Sequence, residues 1–165
     1  MLLWFVATSV LTVWYVFTDL RFDYRPLVVG ALLPDAVDVW FGGARYAHSL
    51  TVAVGLMAVV MLVTAGRRPI RRQLLAVPIG MLLHLVFDGA FTNDHAFWWP
   101  FLGSVGDEPL PVVARGWWNV GLELVGAALL WRAIGMFGLR DDERRRRFLR
   151  TGLLASVAGR VPRVR

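Results

Sequence analysis

Acids and histidines stand inside or beside the apolar stretches of this chain, among them Asp35, Asp38, His48, His84, Asp88, Asp94, His95 and Glu123. Imidazole nitrogen and carboxylate oxygen are the ligand atoms of zinc, manganese and iron. Asp35 and Asp38 are spaced i, i+3, and His84 and Asp88 i, i+4, so each pair shares one helix face. Two acids from one helix, a histidine from the next and a His–Asp pair from a third are the donors of a one- or two-metal cage. The chemistry of such a cage is hydrolysis by an activated water. Zinc is the first expectation, with manganese or iron as alternatives. Cysteine is absent, which removes thiolate ligands, cysteine nucleophiles and a disulfide framework. Plainer roles stand beside these. Asp35 could cap a half-helix behind Pro34, His48 and Ser49 could cap the following helix, and His95 could be a solvated loop residue. Glu123 could pair with Arg115 or bond a neighbouring helix.

The elements that must position these groups are apolar. The chain has 165 residues, 57% of them hydrophobic. That excludes a disordered chain and a binder that is basic throughout. Five segments approach the roughly 20 apolar residues that cross a bilayer: Met1–Phe17, Leu27–Phe41, His48–Ala65, Gln73–Phe87 and Trp117–Phe137. The first lacks a basic leader and an A-x-A-like site, so it is expected to be retained as a helix. Pro34 is expected to shorten or break the second. The fold class expected is all-α, a polytopic helical membrane protein of about five transmembrane helices.

The net charge of +6 is carried by eighteen arginines without a lysine. Fifteen of them fall in three regions: Arg21 and Arg25, then Arg67 to Arg72, then Arg140 to the C-terminus. If the spans alternate, these regions share one side, and the positive-inside bias makes that side cytoplasmic. The N-terminus is then outside and the C-terminus inside. Arg45 and Arg115 fall in the outer loops and are candidates to clamp a substrate phosphate. Tryptophans cluster at the outer loop edges as interfacial anchors. The same alternation brings the late residues of spans two and four, and the early residues of spans three and five, to one depth on the outer face. Intramembrane ionisable groups are functional candidates by default. Asp35, Asp38, His48, His84 and Asp88 are the metal candidates, with Glu123 or His95 as general acid or base.

The string GALLPDAVDVWFGGARYAHSLT resembles the LPD-x-D … THS segment of the YdjM-like family of bacterial inner-membrane, metal-dependent hydrolases. LLHLVFDGAFTNDHAFWWPF resembles that family's second signature, a His-x-x-x-Asp helix and an aromatic–Pro loop. Together they cover Gly30–Phe101. The resemblance implies Asp35, Asp38, His48, His84 and Asp88 as metal-site residues in the bacterial plasma membrane. The family's early Thr-His pair has no counterpart here, and Glu123 or His95 would substitute.

Residues 1–138 are thus expected to form the transmembrane domain and 139–165 a basic cytoplasmic tail. Leu139–Val157 reads as an amphipathic helix whose arginines bind anionic lipid, and no nucleic-acid partner is expected. The function expected is hydrolysis of a lipid or lipid-linked phosphoester at the outer face. The alternatives are a small proton- or metal-ion-coupled transporter, which needs polar groups at several depths, and a non-catalytic membrane scaffold.

Overall fold

A computed structural model describes residues 1–17, 22–41, 46–102 and 116–154. All regular structure among them is helical. Each of the five apolar segments lies on a helix: α1 (Leu2–Phe17), α2 (Tyr24–Asp38), α3 (Leu50–Val63), the α4–α5 pair (Arg68–Leu74 and Ala76–Asp88) and α7 (Trp118–Met136). A short α6 (Asp94–Phe97) and the tail helix α8 (Asp142–Thr151) complete the set. Two stretches are long and apolar enough to cross a membrane, Arg68–Asp88 with 21 residues and Trp118–Met136 with 19. At 1.5 Å per residue they span about 30 Å. Helices α1 and α3 are apolar but shorter.

The second helix is short but not broken. It runs through Pro34 from Tyr24 to Asp38 and passes into a 3-10 turn, Val39–Phe41. Proline removes one helical N–H, which would have bonded the carbonyl four residues back. Packing against a neighbouring helix offsets that loss, and α2 lies very close to α5. A Cβ on Gly30 would fall 2.0 Å from the Val77 carbonyl oxygen, and one on Gly80 2.3 Å from that of Leu27. Only glycine allows the two backbones this approach.

The contacts fix the relative direction of the helices. Gly80 lies against Leu27 and His84 against Ala31, four residues further along both, so α2 and α5 run the same way. Glu123 reaches Leu3, Gly126 abuts Trp4 and Phe137 meets Trp14, so α1 and α7 also run together. Phe5 stacks on His84, while Val13 and Ala76 share one apolar cluster, so α1 opposes α5. Helix α3 opposes α5 too, since His48 beside its start meets His84 and Ala53 packs with Met81 and Leu85. The five apolar helices therefore alternate along the chain. Arg25, the α4 arginines and α8 share one end of the bundle; Asp38, His48 and Asp88 share the other.

The tail helix is shorter than the expected Leu139–Val157, and its far end is docked on the bundle. Asp141 caps its start by accepting from Arg144 N (2.9 Å), and Gly152 ends it at φ +70°. Gly152 O accepts from Tyr24 N (3.0 Å). The Arg25 guanidinium donates to the carbonyls of Leu149 (3.2 Å) and Arg150 (2.9 Å). Asp23 caps α2 through Arg25 N (3.0 Å) and pairs with the Arg25 guanidinium at 2.8 Å. Leu154 is buried and Phe148 packs on the cluster of Val10, Val13, Tyr24, Leu27 and Phe137. The apolar side of the tail is therefore partly committed to the protein; Leu149 stays exposed.

Candidate metal centre

The first His of the site comes from the loop ahead of α3. Ser49, not His48, caps that helix, accepting from Val52 N at 3.1 Å. The His48 ring is therefore available. Its Nδ1 lies 2.7 Å from Asp38 Oδ2, and the other Asp38 oxygen accepts from Ala47 N at 3.2 Å. Asp38 thus holds both the ring and the backbone that carries it. The second His sits mid-face on α5. His84 Nδ1 lies 2.7 Å from the Ala31 carbonyl oxygen, and the Phe5 ring covers it at 3.9 Å between centroids. A carbonyl only accepts, and a carboxylate accepts when ionised, so both Nδ1 atoms carry the proton. Each Nε2 atom is then the ring's remaining polar atom, and it offers a lone pair when the ring is neutral.

Those two Nε2 atoms converge. His48 Nε2 and His84 Nε2 are 3.3 Å apart, and each is 3.5 Å from Asp35 Oδ1. Asp35 sits within α2, not at a cap, so its carboxylate points sideways into this triangle. Zinc bonds nitrogen and oxygen at about 2.0–2.1 Å, which puts neighbouring ligands of a tetrahedron about 3.3–3.4 Å apart. Three electron-rich atoms at that spacing repel one another unless a cation or a shared proton lies between them. Both histidine side chains are buried, while that of Asp35 remains 25% exposed. Asp35, His48 and His84 can therefore hold a metal ion, with the approach to it on the Asp35 side.

The other expected residues take different places. Asp38 supports His48 from behind, the carboxylate–histidine arrangement that orients metal ligands. Asp88 is fully buried at the end of α5, one turn beyond His84. Glu123 accepts from Leu3 N (3.1 Å) and Trp4 N (3.4 Å), so it caps the start of α1 and satisfies N–H groups that a helix leaves open. His95 is exposed in α6 with its Nδ1 3.0 Å from Leu102 O. Asp94 opens the same short helix. Arg45 and Arg115 lie outside the described residues. Two contributors were not anticipated, the Ala31 carbonyl and the Phe5 ring. Neither carries a signal in sequence, because one is backbone and the other an ordinary apolar residue.

No protein-family model matches the chain, and no curated protein or solved structure matches it.

Proposed function

We propose that this chain is a polytopic membrane protein with a metal-dependent hydrolytic site at the extracytoplasmic end of its bundle. The site acts on a lipid or lipid-linked phosphoester. The observation that carries the reading is the triangle of Asp35 Oδ1, His48 Nε2 and His84 Nε2, three ligand atoms with tetrahedral spacing and an exposed side. Three protein ligands and one free position are the pattern of catalytic rather than structural zinc. A divalent ion supplies Lewis acidity there, bringing the pKa of water from 15.7 toward about 7. Asp38 and the Ala31 carbonyl fix the tautomer and direction of the two rings. Phe5 keeps water from the back of His84, and Asp35 leaves the front open. The general acid or base is Glu123, which caps α1, or His95, which is exposed in α6.

The membrane reading rests on distribution. Valines, leucines and tryptophans face outward on α3 and α7, including Val54, Leu62, Leu124 and Trp131, while His48, His84, Asp38 and Asp88 are inside. A protein in water sorts these groups the other way. The alternating helix directions put the described loop arginines at one end, which the positive-inside bias assigns to the cytoplasm of a bacterial plasma membrane. The likeness to YdjM-like proteins, which implies Asp35, Asp38, His48, His84 and Asp88 as metal-site residues, belongs to this proposal.

Metal analysis of the purified protein after zinc loading tests it, with phosphoesterase assays on phospholipids and lipid-linked phosphates. One ion per chain in the wild type, absent in His84→Ala, is the expected result. A wild type without stoichiometric metal overturns the reading.

A further inference from the structure

The arginine-rich end of the bundle carries an open groove beside α7. Arg132 lies one turn before the end of α7, a helix otherwise apolar over that turn, and Arg140 follows just beyond Gly138. An arginine at such a position carries its head toward the interface along its own apolar stem. The Arg140 guanidinium carbon sits 4.7 Å from the centroid of the Trp131 ring. One face of the guanidinium is therefore covered by indole, and its N–H edge is left for an acceptor. Arg25 and Arg145 have acidic partners, whereas among the described residues neither Arg132 nor Arg140 forms an ion pair. Between them Gly135 leaves a gap, since a Cβ there would meet nothing within 4 Å. Trp131, Arg132, Gly135, Met136 and Arg140 line an open groove of about 510 Å³.

We propose that this groove binds an anionic glycerophospholipid, its phosphodiester between the two guanidiniums and its acyl chains along the exposed flank of α7. Planar N–H forks match phosphate oxygens in pairs. The flank above the groove is apolar, with Leu124 and Val125 exposed, and a free phosphate has no use for it. A zwitterionic lipid brings its own cation beside two arginines, so net negative charge is preferred. The site involves no metal, and it shares with the proposed function only the reading that α7 crosses a bilayer.

Native mass spectrometry of the full chain in detergent tests this, with added phosphatidylglycerol or phosphatidylcholine. The wild type should keep phosphatidylglycerol at collision energies that strip phosphatidylcholine. Arg132→Gln with Arg140→Gln should reduce the retained fraction on the order of thirtyfold. Gly135→Leu should reduce it as well by filling the gap with both charges in place. Arg146→Gln with Arg147→Gln in α8 should leave it unchanged. Equal retention of the two lipids by the wild type overturns the proposal, as does undiminished retention in the double groove variant. Loss only with the α8 variant assigns the lipid to the tail instead, and displacement by millimolar inorganic phosphate makes the ligand a free anion. Metal content measured on the same samples reports separately on the hydrolytic site.

Discussion

The two ends of α2 carry similar residues and do opposite things. At its start, Asp23 and Arg25 meet the tail, and every polar contact there joins a donor to an acceptor: the carboxylate to N–H groups, the guanidinium to the carboxylate and to two carbonyls. At its end, Asp35 and Asp38 meet two histidines. Asp38 is matched in the same manner, but Asp35 Oδ1 and the two Nε2 atoms lie within 3.5 Å of one another. The first cluster is closed and fastens the tail. The second is open on the Asp35 side and could hold a metal ion. A buried polar cluster is thus read better by whether its donors and acceptors cancel than by how many charges it holds.

The sharpest way to break this contrast is His84→Ala. It removes one of the three residues that could hold a metal ion and should lower affinity for added zinc by more than the 10–100-fold typical of losing an outer support, as read by competition with a chelator, while the tail stays docked. Asp38→Asn comes next. It keeps the shape but weakens the hold on His48 Nδ1, and the expected loss is about 10–100-fold in metal affinity. Equal affinity in that variant would mean that Asp38 does not orient the ring.

The closed end should respond in stability and not in metal. Gly152→Ala places a Cβ against Asp23 and forces a left-handed conformation at φ +70°. It should cost about 1–2 kcal/mol from the backbone alone and raise hydrogen exchange in α8, with zinc affinity unchanged. Asp23→Ala, which removes the cap of α2, should cost about 1 kcal/mol. A change in metal affinity with either variant would show that the two ends are coupled.

The smallest expected effect is on pH. Burial works to raise the Asp23 pKa, but its hydrogen bonds to Arg25 and the charge of that guanidinium outweigh this and hold it below the usual carboxylate value. A depressed folded pKa adds stability that is complete above the unfolded value and is lost as pH falls through the folded one. Tail docking, followed by exchange in α8, should therefore hold at pH 5 and weaken only below the ordinary carboxylate range.

Much of this was legible beforehand. The five apolar runs marked the helices, and the arginine groups anticipated their alternation, because charge is excluded from apolar spans and gathers where the chain turns back. Asp35, His48 and His84 stood out as costly residues in greasy surroundings. Roles were harder to read. Glu123 was open to chemistry or to a bond with a neighbouring helix, and only the fold shows that it caps α1, whose N–H groups are remote in sequence. Pro34 was expected to shorten or break α2, and the helix is short but continuous, packed closely on α5 at Gly30 and Gly80.

Sequence alone therefore determined composition, periodicity and the order of helices, all of which follow from local transfer free energy and chain spacing. It also narrowed the ionisable residues to a short set. Tertiary structure decided which of them face one another. Whether a carboxylate becomes a ligand, a support or a cap depends on the atom opposite it, and for His84 that atom is a backbone oxygen on another helix, which no side-chain pattern records.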